Sequence, residues 1–231
     1  ALTHRVFGPR FRAAFEGNIC LVNNIFAFNM ARNPTVDTVD NTLVANNLMV
    51  ACNVGIKVQA FDALTHRVFG PRFRAAFEGN VIERANVPLQ GRVAGKPEND
   101  KKNHIFLSPD NKINGKTFAS ADEIWKQVDN MAWSSASRPL EICRVKRSPV
   151  TVPGLQIRPA EDVKEWVLAH AGARPADRDP VDKRIIENIR TGRGKLPIES
   201  QREVGGWPKL KETRRRLELP ASPYGDANGD G

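Results

Sequence analysis

ICLVNNIFAF (Ile19–Phe28) and NTLVANNLMVACN (Asn41–Asn53) are the stretches that decide the fold. Each places an Asn pair, Asn23–Asn24 and Asn46–Asn47, between two short apolar runs, and the pairs stand 23 residues apart. AAFEGNVIERANV (Ala75–Val87) continues the pattern with Asn80 after a longer interval. Asn is disfavoured inside ordinary strands, so its return beside β-branched and aromatic residues needs a physical reason. Stacked parallel strands supply one, because an Asn at a bend can hydrogen-bond the equivalent Asn above and below it. A period of about 20–25 residues suits one coil of a solenoid. The competing reading is a set of antiparallel hairpins with Asn in the turns. The expected fold is therefore mainly β, a right-handed parallel β-helix, with C-terminal helices and a strap packed on it.

The chain divides at about residue 150. Residues 1–150 read as a partial parallel β-helix with a polar excursion at about 88–117, where GRVAGKPENDKKNH is strongly charged. Residues 151–231 read as helices, strap and tail of the same domain. Ser120 precedes a short helical pattern with Ile124, Trp125 and Val128 on one side. Ala160–Ala171 places Val163, Trp166, Val167 and His170 at helical spacing, and Gly172 supplies the stop. A second helix, Pro180–Arg190, has Asp179 as N-cap, Pro180 at its first position and Gly192 beyond its end. The tail after Gly194 alternates charge, Pro and Gly, as a surface strap does.

The segment ALTHRVFGPRFRAAFEGN occurs at Ala1–Asn18 and again, unchanged, at Ala63–Asn80. Structural repeats that have diverged keep a pattern and lose identity. Perfect identity reads as a recent duplication or an assembly artefact, with the second copy in its original context. On this reading the chain lacks the part that ordinarily precedes it.

A net charge of +9 favours a polyanionic partner. No apolar run approaches the ~20 residues that span a bilayer. Cys20, Cys52 and Cys143 are too few and too scattered for a zinc site or disulfide framework. Cys20 and Cys52 lie in apolar runs, where buried free thiols are expected. The tail DANGDG (Asp226–Gly231) matches the first half of an EF-hand loop, with Asp226, Asn228 and Asp230 as oxygen ligands for calcium. The basic run KETRRRLE, with Lys211 and Arg214–Arg216, reads as a solvated face.

NNIFAFNMARNP (Asn23–Pro34) resembles the coil of secreted pectate lyases, in which an apolar strand with Asn runs into an Arg-x-Pro step. RPAEDVKEWVLAHAGA, RDPVDKRIIENIRTG, EVGGWPKL and PYGDANGDG follow in an order similar to the C-terminal part of bacterial members of that family. The resemblance implies calcium-dependent β-elimination of polygalacturonate by a secreted, monomeric enzyme acting on an acidic polysaccharide, with neither nucleic acid nor membrane as partner. It implies that Arg32 is the Brønsted base. The family pattern has a second Arg three residues after the Pro, where this chain has Asp37.

Removing a proton next to a carboxylate builds up a second negative charge, which cations must relieve. An Arg can accept that proton only if its surroundings depress its pKa, since free guanidinium stays protonated. Period-two spacing in PRFRA puts Arg72 and Arg74 on one strand face with Phe73 opposite. Arg67, Arg72, Arg74 and the preceding Lys57 are accordingly candidate binders of substrate carboxylates. Two competing expectations are a non-catalytic carbohydrate-binding β-solenoid and a basic nucleic-acid-binding module. The latter rests on charge alone, with no reader motif beside it.

Overall fold

A computed structural model describes residues 19–30, 32–37, 40–61, 73–94, 97–131, 137–172, 174–194 and 200–206. The first circuit of the chain makes β1 (Ile19–Val22), β2 (Ile25–Ala27) and β3 (Thr35–Asp37). The second makes β4 (Thr42–Ala45), β5 (Leu48–Val50) and β6 (Val54–Phe61), and the third β7 (Arg74–Glu78), β8 (Val81–Glu83) and β9 (Val87–Ala94). The fourth makes β10 (His104–Leu107), β11 (Lys112–Ile113) and β12 (Val128–Asn130). Corresponding strands form three four-stranded sheets, ordered β1-β4-β7-β10 (sheet A), β2-β5-β8-β11 (sheet B) and β3-β6-β9-β12 (sheet C). Every pairing between these strands is parallel. Hairpins would pair neighbouring strands antiparallel, so the hairpin alternative is set aside. The protein is mainly β with few helices, an arrangement consistent with a β-helix solenoid.

The Asn positions explain the register. Asn24, Asn47, Asn80 and Asn111 occupy the same bend between sheets A and B. The Asn47 Oδ1 accepts from the Asn24 backbone N–H (2.9 Å) and the Asn24 Nδ2 (3.0 Å). The Asn80 Oδ1 accepts both equivalent donors of Asn47 at 3.1 Å, and the Asn111 Oδ1 both donors of Asn80 at 2.9 Å. The residue before each of the first three, Asn23, Asn46 or Gly79, has φ of +61°, +51° or +58°. Asn and Gly adopt this left-handed region most readily. The bend after sheet B repeats the conformation at Phe28, Ala51, Arg84 and Asn114.

Where the sequence leads one to expect a polar excursion over about 88–117, the chain instead completes the third circuit and forms much of the fourth. In β9, Leu89, Gly91 and Val93 are buried while Gln90 and Arg92 between them are half-buried. Ile105 and Leu107 are buried in β10. Four charged residues of this region, Glu98, Asp100, Lys101 and Lys102, sit in a 3-10 turn at Pro97–Lys102.

One face of each sheet lines the interior: Val44, Ala75, Phe77 and Ile105 from sheet A, Met49 and Ile82 from B, and Ile56, Val58, Leu89 and Val93 from C. The outer faces of A and B are apolar too. Val150, Val152, Leu155 and Ile157 pack on Leu43, Ala45 and Ala76 of sheet A. On sheet B, Leu48, Val50 and Val81 are covered by α2 (Ala160–His170) and α3 (Pro180–Arg190), through Val163, Val167, Leu168, Ile186 and Ile189. Strands buried on both faces read as continuous apolar runs, and each such side chain contributes roughly 1.5–3 kcal/mol by leaving water.

Both helices end where the sequence places them. The Asp179 carboxylate accepts from the Asp182 N–H at 2.8 Å, and Ala171 and Thr191 close the C-terminal ends. Polar clamps add to the apolar contact: Lys164 pairs with Glu83 at 2.8 Å, and Arg84 donates to the Gly192 carbonyl at 2.8 Å. Ser120 caps the short helix α1 (Ala121–Trp125), whose Ile124 and Trp125 join the interior with Leu140. Cys52 and Cys143 are buried free thiols, whereas Cys20, on the edge strand β1, is exposed, contrary to the sequence expectation.

Candidate functional site

Sheet C differs from the other two on its outer face. Val36, Ile56, Val58, Ala60, Leu89 and Val93 point inward, so strand alternation turns Thr35, Asp37, Lys57, Gln59, Gln90 and Arg92 outward. Register aligns Thr35, Lys57, Gln90 and Asp129 in one row across the strands, and Asp37, Gln59 and Arg92 in the next. Amide side chains tie the rows together. Gln59 Nε2 donates to Asp37 Oδ2 (3.3 Å), Gln90 Nε2 to Asp129 Oδ2 (2.9 Å), and Arg92 Nη1 to Ser137 Oγ (3.2 Å).

Arg32 joins this face from the bend that leads into β3. Asn33, 1% exposed, donates its backbone N–H to the Gly55 carbonyl (3.0 Å) and its Nδ2 to the Val54 carbonyl (2.8 Å). The Pro34 carbonyl accepts from the Lys57 N–H at 3.0 Å. These bonds pin the bend to β6 and hold Arg32, itself exposed with φ of +68°, beside Lys57. A left-handed non-Gly residue is often a mark of function, but seven others among the described residues share the conformation, so it alone singles out nothing.

Lys57 is only 6% exposed. Burial, and then the positive charges of Arg32 and Arg92, push its amine below the ordinary 10.5, against the pull of Asp37. Three cations on neighbouring positions of one sheet face thus form a concentrated positive patch, with Asp37 and Asp129 as its carboxylates. An interior void among the described residues is small. At about 10 Å³, and lined by Ile56, Phe77, Leu89, Ile105 and Trp125, it is at the lower limit for one water.

Of the residues expected from sequence, Arg32 and Lys57 come together here. Arg74 does not join them. It opens β7 in sheet A, opposite in direction to the buried Phe73 as expected, but its Nε and Nη2 hold both oxygens of Asp40 at 2.6 and 2.9 Å. A fork committed to one carboxylate is poorly placed to receive another, so Arg74 is reassigned to anchoring the bend before β4. Arg67, Arg72, Asp226, Asn228 and Asp230 lie outside the described residues. Arg92 was missed by the sequence reading, although the alternation in VPLQGRVA carried the signal.

The described residues show no carboxylate cluster for calcium. Among them no group of three or more His, Cys, Asp and Glu is placed to hold a metal ion. Asp37 and Asp129 each accept from a Gln amide, and Asp40 is taken by Arg74.

No protein-family model matches the chain, and comparison with curated proteins and with solved structures likewise finds no match. Among the described residues no helix is long and apolar enough to cross a membrane.

Proposed function

We propose that the chain winds as a right-handed parallel β-helix of the pectate lyase type and binds an acidic polysaccharide, polygalacturonate, across the outer face of sheet C, cleaving it by β-elimination outside the cell. One observation carries the reading: Arg32, Lys57 and Arg92 converge on the one sheet face that the C-terminal segments leave polar. Neighbouring strands lie about 4.8 Å apart, so the cations step across the sheet and meet successive carboxylates of a polymer laid over it. Cations fixed by the fold stabilise the doubly negative intermediate without reorganising as it forms. Arg32, the base by resemblance, stands at the exposed border of the patch. Arg67 and Arg72 remain candidates for carboxylate binding. Calcium enters as a requirement to be measured, and no step of the chemistry is routed through it.

The test is polygalacturonate with and without calcium, followed by the ultraviolet absorbance of the unsaturated product. Product formation that needs calcium, and that falls at limiting polymer on Arg32→Ala, is the expected result. The absence of a carboxylate cage among the described residues favours a second reading, a non-catalytic polysaccharide-binding solenoid. Polymer binding without product would establish that one instead. DNA binding stronger than pectate binding and steeply salt-dependent would replace both with a nucleic-acid module.

A further inference from the structure

A β-eliminating face needs a group that can stand unprotonated beside its substrate, and the three cations of sheet C are not equivalent in that respect. A guanidinium keeps its proton in essentially any protein setting, whereas an amine gives it up when desolvated among other cations. Lys57 has the central position. It lies in β6 between Thr35 of β3 and Gln90 of β9, with Arg32 held beside it through Asn33 and Pro34. Arg92 stands one strand away, aligned with Gln59 two residues further along. Lys57 is 6% exposed while Arg32 is exposed, so the amine is the more desolvated of the two. Among the described residues, the charged groups that act on it include Arg32 and Asp37 from the β3 side and Arg92 from β9.

We propose that Lys57, rather than Arg32, takes the proton in this reaction, and that Arg32 and Arg92 hold substrate carboxylates. This rests on the lyase reading above and changes one assignment within it. The Nζ lone pair removes the hydrogen from the carbon next to the carboxylate, giving an ammonium. The released electron pair forms a double bond to the neighbouring carbon. The bond from that carbon to the glycosidic oxygen breaks, its pair stays on the oxygen, and water protonates the oxygen. The ammonium returns its proton to the resulting hydroxide. Burial and the two guanidinium charges favour the neutral amine that the first step requires.

Two measurements on the full chain test this. Competitive acylation across pH, read by mass spectrometry, follows the Lys57 amine in folded protein and in the same protein unfolded in guanidinium. Lys57 is expected to titrate at lower pH when folded, and Arg92→Met is expected to move it back up. Titration unchanged by folding overturns the proposal whether or not turnover is seen. The second measurement compares Lys57→Arg with Arg32→Ala on polygalacturonate, each checked for native circular dichroism. Lys57→Arg keeps the charge and is expected to keep polymer binding while losing roughly 100-fold or more in kcat. Lys57→Ala should recover turnover with added ethylamine. Arg32→Ala is expected to act mainly through KM. Retained kcat in Lys57→Arg overturns the proposal and leaves the lyase reading intact. A wild-type chain that yields no product overturns the lyase reading, and the assignment of Lys57 falls with it.

Discussion

Replacing Asn80 with Ala should destabilise this protein far more than the same truncation of Asn24. Asn80 is 0% exposed, and its side chain makes four hydrogen bonds. Its Oδ1 accepts from the Asn47 N–H and Nδ2 at 3.1 Å, and its Nδ2 donates to the Val44 carbonyl at 2.8 Å and to Asn111 Oδ1 at 2.9 Å. At about 1 kcal/mol net for each bond, the loss is about 4 kcal/mol. The buried Asn47 N–H, left without its partner, pushes the figure upward. Asn24 provides the internal control. It is exposed and the first of the stack among the described residues, where its side chain donates to the Val22 carbonyl and Asn47 Oδ1. Water replaces those partners, so Asn24→Ala should lose no more than about 1 kcal/mol. Urea unfolding followed by circular dichroism measures both. Equal losses in the two variants, or an Asn80→Ala loss under about 1 kcal/mol, would refute the view that the stack is cooperative and internally satisfied.

Gly79→Ala should be destabilising by roughly 2 kcal/mol or more, because φ is +58° and the new methyl would stand 2.4 Å from Asn46 Nδ2 and 2.8 Å from the Arg158 carbonyl; a melting temperature equal to wild type would contradict this. Alkaline pH should weaken the fold through its buried thiols. Burial raises Cys52 to about 11 and Cys143 to about 12, so their contribution is full below the unfolded value of 9.0 and is lost as pH rises through the folded ones. Cys143→Ala should flatten that alkaline limb, and iodoacetamide near neutrality should modify Cys20 among these three. Lys57→Met should stabilise the chain at neutral pH, since a depressed folded pKa makes stability full above 10.5 and reduces it as pH falls. The gain should shrink as pH approaches 10.5, and a gain independent of pH would rule out an electrostatic origin.

The parts of this fold that were legible in the sequence are those governed by local chemistry. Asp179, Pro180 and Gly192 bracket α3 because capping and stop signals act within one turn of the helix. The Asn stack was legible because identical bends demand identical residues, and Asn47 and Asn80 answer each other across 33 residues. Asn111 escaped notice because the apolar run after it shrinks to the two-residue β11. The polar look of β9 has a packing cause. A Cβ at Gly91 would meet Leu140 Cδ2 at 2.5 Å, so the interior position facing Leu140 holds no side chain. That gap in the apolar alternation hid Arg92, and with it a third of the cationic patch. Arg74 misled for the opposite reason, since its strand face was read properly but its partner Asp40 stands 34 residues earlier, where no local rule reaches.

The placement of the patch follows from the way three parallel sheets divide their outer faces. Parallel strands are stable when both faces are covered, and the chain spends its C-terminal segments on two of the three. Residues 150–157 cover sheet A, and α2 with α3 covers sheet B, each over an apolar surface. Sheet C carries Thr, Asp, Lys, Gln and Arg where the others carry Leu, Val and Ala. A polar face with partly satisfied charges is a poor seat for another apolar segment, because desolvating those charges would outweigh the area gained. A hydrated, negatively charged polymer suits it better, since its carboxylates replace water around guanidinium and amine while its hydroxyls meet the Gln amides. Successive circuits bring Arg32, Lys57 and Arg92 to this face at staggered positions, Lys57 in register with Gln90 and Arg92 with Gln59. A solution of the fold's register problem therefore also spaces the charges for a repeating ligand.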